Sequence, residues 1–86
     1  MAEDGDISFN EIRHGHETAF RKIYEDYYTS LCFYAGKFVR DPEQARSLVQ
    51  EIFVKLWVKR ENLNVTYSIK AYLFNSVRNL CIDYLR

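Results

Sequence analysis

Two long stretches of this chain carry apolar residues at steps of three and four, and a short polar loop separates them. In the first, Ala45, Leu48, Val49, Ile52, Phe53 and Leu56 recur at that step. In the second, Ile69, Tyr72, Leu73, Val77, Leu80, Cys81, Tyr84 and Leu85 do so. Such spacing lays one apolar stripe along a helix, whereas a half-buried strand needs strict alternation. A third stretch, with Ala19, Phe20, Ile23, Tyr24, Tyr27, Leu31, Tyr34, Ala35 and Phe38, predicts a long amphipathic helix over residues 16–39. Asp41-Pro42-Glu43-Gln44 is a start signal for the next helix. Asp can cap, Pro fits the first turn, and Gln at the third helical position can complete a capping box. That helix is expected to end near Arg60.

Residues 61–67 read as the loop. Asn62 and Asn64 favour turns, and Val65-Thr66 disfavours helix. Ser68 is placed to cap the last helix. Residues 7–13 predict a short leading helix with Ser8 at its start, Phe9 and Ile12 as packing residues, and Gly15 as its breaker. The acidic residues 1–6 are expected to be a disordered N-terminus, and residues 7–86 one domain. Three Gly and one Pro leave few turns, so the fold class is all-α: a compact bundle of three long helices plus a short N-terminal helix.

Eighty-six residues suffice for a single thin core, and an apolar content near half argues against disorder. The formal net charge is zero but unevenly spread. Residues 1–54 carry ten acids and six bases. Residues 55–86 carry Lys55, Lys59, Arg60, Lys70, Arg78 and Arg86 against Glu61 and Asp83 alone. That excess either is chance or marks a surface for an anionic partner. Cys32 and Cys81 are far apart in apolar helical contexts and read as reduced core residues. With no signal peptide and no apolar run near eighteen residues, the chain reads as soluble and cytoplasmic, without membrane insertion.

The outward residues carry the functional signal. Ser47, Gln50, Glu51, Val54 and Val58 share one strip, which suits docking against a partner helix or is simply a solvated face. On the last helix Lys70, Phe74, Arg78, Asn79, Ile82 and Arg86 lie away from the core stripe. Lys and Arg can neutralise phosphates, and Phe74 or loop Tyr67 can stack on an unpaired base. Asn62, Asn64 and Asn79 each offer a donor and an acceptor to a base edge. Core packing is the competing reading for the aromatics, expected for Tyr72 and Tyr84 and evenly balanced for Phe74.

These residues carry a resemblance. The run from Asp41 to Trp57 (DPEQARSLVQEIFVKLW) resembles the polymerase-docking segment of region 2 in bacterial sigma factors, most of all the extracytoplasmic-function (ECF) group. Ile69-Lys70-Ala71-Tyr72-Leu73-Phe74, with Val77-Arg78-Asn79 and Asp83-Tyr84-Leu85-Arg86, resembles that group's promoter-reading helix. The likeness spans about residues 9–86. It implies a transcription initiation domain whose middle helix docks on the clamp coiled coil of the largest RNA polymerase subunit through Arg46, Ser47, Gln50, Glu51, Val54 and Lys55. It also implies that the loop and last helix read and help melt the −10 element on the non-template single strand. Residues 62–67, Thr66 and Tyr67 among them, would hold a flipped base beside Asn79. Lys59, Arg60, Lys70, Arg78 and Arg86 would hold phosphates. An anti-sigma factor is implied as a further partner.

Two departures stand out. The family usually has an acid where Ser47 stands, and often one at Arg46. Such factors also normally continue into a helix-turn-helix region 4, so the chain reads as an isolated, truncated domain. A second reading is a helical protein-interaction module, an anti-sigma target for example, with no direct DNA contact. An enzyme is rejected: no Gly-rich phosphate loop is present, and His14 and His16 lack a third ligand at metal spacing. No cofactor or metal is expected.

Overall fold

The computed structural model describes residues 9–63 and 68–86, and in them four helices and no strand. They are α1 (Phe9–Arg13), α2 (Glu17–Ala35), α3 (Pro42–Val58) and α4 (Ile69–Leu85). The fold is all-α, as the periodicity requires. Each long helix packs on the other two, and α1 lies against α2.

Both expected caps are present. The Asp41 carboxylate accepts from the Glu43 N–H at 3.1 Å, with Pro42 in the first turn. The Ser68 hydroxyl accepts from the Ala71 N–H at 3.1 Å. Each satisfies a backbone donor that a helix start leaves open, and is worth about 1 kcal/mol. The expected cap at Ser8 lies outside the described residues. Between α1 and α2, Gly15 takes φ +79°, a left-handed conformation costly for residues with a Cβ.

One helix end differs from expectation. The second helix stops at Ala35 rather than residue 39. Lys37 and Phe38 instead donate to Tyr34 and Ala35, three residues back, at 3.0 Å. This tighter turn preserves the apolar spacing, so Val39 is still buried and the sequence pattern shows no break. The third helix ends at Val58, two residues before Arg60.

The core is formed by Ile12, Ile23, Leu31, Val49, Phe53, Leu56, Leu73, Val77 and Cys81, joined by Ala19, Ala35, Leu48 and Ile52. A large apolar side chain removed from water here contributes about 1.5–3 kcal/mol. Along the α2–α3 seam, Tyr24 stacks on Tyr28 at 4.9 Å and leans on Phe53 at 4.8 Å, while Phe20 meets Trp57 at 4.9 Å. Cys81 is a buried free thiol and Cys32 a half-buried one. Burial raises the Cys81 pKa above its ordinary value.

Tyr84 and Leu85 correct the sequence reading. Both follow the core spacing of α4, yet they are 51% and 58% exposed. The stripe continues past the last position that another helix covers, and periodicity carries no information about where that cover stops.

Candidate functional site: the outer faces of α3 and α4

The third helix turns one side toward α2 and another toward α4, leaving a strip outside. Arg46, Ser47, Gln50, Glu51, Val54 and Lys55 are all exposed there. Val54 and Val58, at 61% and 68% exposure, are too open to serve the core. Two furrows flank the strip. On the α2 side a cavity of about 380 Å³ is lined by Phe20, Tyr24, Gln50, Val54 and Trp57. On the α4 side one of about 220 Å³ is lined by Ile52, Lys55, Tyr72, Ser76, Asn79 and Asp83. One furrow is aromatic and apolar. The other collects an ammonium, two hydroxyls, an amide and a carboxylate, a set able to both donate and accept hydrogen bonds.

On α4, Lys70, Arg78, Asn79 and Arg86 are exposed, as are Lys59 and Asn62 at the far end of α3. The buried stripe Ile69, Leu73, Val77, Cys81 steps by four, and Lys70, Phe74, Arg78, Ile82, Arg86 repeats that step one residue later. Asn79 borders the polar furrow and so shares a cavity with Lys55 of α3. Asn64, Thr66 and Tyr67 lie outside the described residues.

Two of the expected site side chains have partners that the sequence alone does not show. Phe74 is half-buried, its ring edge-on to Tyr34 at 5.2 Å. Of the two alternatives open for it, this geometry is the packing one. Arg60, expected to hold phosphate, is half-buried and turned back on its own chain. Its guanidinium lies over the Trp57 ring at 4.2 Å and donates to the Trp57 carbonyl at 2.7 Å. A Cβ on Gly15 would stand 3.6 Å from Arg60 Nε, so this cation occupies the α1–α2 turn. Its charge remains, but its donors are partly committed.

The sequence reading also missed Arg13. From α1 it reaches across to donate to the Leu63 carbonyl at 3.1 Å, at the edge of the loop before α4. A contact between residues fifty apart leaves no local signature. The aromatic furrow was missed for the same reason: Phe20 and Tyr24 were assigned to the core, and they also line the groove beside the α3 strip. His14 and His16 have ring centroids 6.3 Å apart, and His14 Nδ1 lies 2.8 Å from the Asn10 carbonyl oxygen. Among the described residues no group of His, Cys, Asp or Glu has metal-site geometry, and no helix is long and apolar enough to cross a membrane.

Residues 23–86, nearly three quarters of the chain, match the family described as Sigma-70 region 2. Neither a curated protein nor a solved structure matches the chain.

Proposed function

Because the chain belongs to the Sigma-70 region 2 family, whose domains bind RNA polymerase and recognise the promoter −10 element, we propose that its two outer faces divide those tasks. The family is one of transcription factor domains rather than of enzymes. In this reading the α3 strip of Arg46, Ser47, Gln50, Glu51, Val54 and Lys55 docks on the clamp coiled coil of the largest polymerase subunit. The loop and α4 take the non-template strand of the −10 element and help to open it. Lys59, Lys70, Arg78 and Arg86 meet phosphates. Asn79 and residues 62–67 read bases, one of them flipped from the stack. The ECF group is the part of the family that the runs at 41–57 and 69–86 resemble, and an anti-sigma factor is the natural competitor for the same faces.

The observation that carries the reading is the exposed set on α4: three cations and an amide outside a fully apolar core stripe. Opening DNA costs a few kcal/mol per unstacked base, and capturing a flipped base offsets part of that cost while selecting sequence. Capture needs cations beside hydrogen-bonding groups, and α4 offers both.

The test uses the chain assembled with core polymerase and fluorescent single strands of the −10 element. Asn79→Ala is expected to weaken binding for matched sequences only. Arg78→Ala is expected to weaken all sequences alike and to lower the salt slope by about 0.7 for each phosphate no longer neutralised. Sequence preference that survives both Asn79→Ala and Asn64→Ala refutes base reading here. The apolar furrow beside α3 favours a second reading, a protein-interaction module. Core polymerase binding with no single-strand affinity in the assembled complex selects it.

A further inference from the structure

We infer that Arg13 is a positioning residue for Asn62 and Leu63, where the proposed base-reading segment begins: from α1 it fixes the point at which the chain leaves α3. The inference rests on the proposed base reading and adds to it a residue of α1, outside the proposed DNA contacts.

The donor is held firmly. Arg13 follows Ile12, which is fully buried, and its guanidinium lies over the Phe9 ring at 5.3 Å, Phe9 being buried as well. The Leu63 carbonyl that accepts from Arg13 Nη2 is also anchored from behind. Leu63 and Asn62 both donate through their N–H groups to the Lys59 carbonyl, at 3.1 and 2.9 Å. Arg60, whose hydrogen bond goes back to the Trp57 carbonyl, lies beside the Gly15 turn. The Arg13 hydrogen bond thus joins α1 to the exit of α3.

Packing alone does not account for an arginine at this position. Its Nε is buried with no hydrogen-bond partner among the described residues. A buried donor left unpaired costs stability, whereas Met or Leu could cover Phe9 without that penalty. What Arg supplies and they do not is a directional, charged donor aimed at one carbonyl. Base readout depends on such placement, because a recognition group displaced by about 1 Å loses much of its selectivity.

The test assembles parent, Arg13→Met and Arg13→Lys chains with core polymerase. It measures the affinity ratio between the matched −10 single strand and strands substituted at one base, together with core affinity and salt slope. Arg13→Met, which keeps the packing over Phe9, is expected to cut the ratio about fivefold, with core affinity and salt slope unchanged. Arg13→Lys keeps a charged donor without the planar fork and should recover part of the ratio. An unchanged ratio in Arg13→Met overturns the inference. So does a uniform loss over all strands with a lower salt slope that Lys restores in full, since Arg13 would then be a phosphate contact. Hydrogen exchange of the Asn62 and Leu63 amides supplies a readout independent of DNA. Arg13→Met should speed it while α3 and α4 stay protected, and unchanged exchange overturns the inference. Should the parent itself show no sequence preference, base reading fails, and this exchange alone decides whether Arg13 holds Asn62 and Leu63.

Discussion

Phe74 decides between two physical roles that the sequence leaves balanced, and its contact with Tyr34 allows the decision to be measured. A ring stacked on an unpaired base is worth about 1–3 kcal/mol, so its loss lowers single-strand affinity roughly 5- to 150-fold and leaves the fold intact. A ring packed edge-on in the core behaves in the opposite way. Removing a fully buried Phe costs about 3–5 kcal/mol. Phe74 is half-buried, which brings the expected cost of Phe74→Ala to about 2 kcal/mol. For a domain of this length that lowers the melting temperature by about 8–16 °C. The Tyr34–Phe74 pair at 5.2 Å and 64° is in the favourable edge-to-face range and should show a coupling of about 0.5–1.5 kcal/mol beyond area burial.

The assay is a double-mutant cycle on urea unfolding with Tyr34→Ala, Phe74→Ala and the double variant, each also titrated with −10 single strand in the polymerase complex below its unfolding range. The packing role requires a positive coupling and a single-strand affinity that is unchanged once the folded fraction is accounted for. A coupling indistinguishable from zero, joined to an affinity loss of about fivefold or more at unchanged stability, refutes it and returns Phe74 to the DNA face.

Two further outcomes follow from the fold. Gly15→Ala should cost about 1–2 kcal/mol in urea unfolding through its positive φ. The nearest atoms to the new Cβ, on Arg60, lie at 3.6 and 3.7 Å and do not clash, so a neutral substitution would show that the turn relaxes freely. The buried Cys81 thiol, its pKa raised by desolvation, makes stability pH-dependent. Its contribution is complete below the ordinary thiol value and falls as pH rises through the folded value, because the unfolded chain gives up the proton first. Tyr28, raised mainly by burial, acts with the same sign at higher pH. Urea midpoints taken from about pH 7 to about pH 10 should therefore decline less steeply in Cys81→Ala than in the parent, and parallel declines would exclude the thiol.

What could be read from the sequence was whatever is encoded within one helix. Asp41-Pro42 and Ser68 announce the starts of α3 and α4 by satisfying open N–H groups, and the core of α3 is the set its spacing predicts. The end of α2 was not legible because a three-residue turn carries the apolar pattern on to Val39. Tyr84 and Leu85 were misplaced because a stripe does not record the length of its neighbours. The partners of Arg60 and Phe74, and the whole role of Arg13, were not legible for a common reason. Each of these residues is placed by a partner distant in sequence or by its own backbone: Gly15 and Trp57, Tyr34, and Leu63. Exposed Lys70, Arg78, Asn79 and Arg86 were found by elimination from the core stripe, which works whenever that stripe is narrow.

The four-residue step shared by Lys70, Phe74, Arg78, Ile82 and Arg86 has a consequence for the shape of whatever follows it. Four residues overshoot one turn by about 40°, so from Lys70 to Arg86 the series climbs about 24 Å and swings through roughly 160°. A straight rod laid against α4 can touch only a couple of consecutive members before the rest rotate out of reach. A pliable strand that coils about the helix axis can keep pace with its exposed cations, Lys70, Arg78 and Arg86.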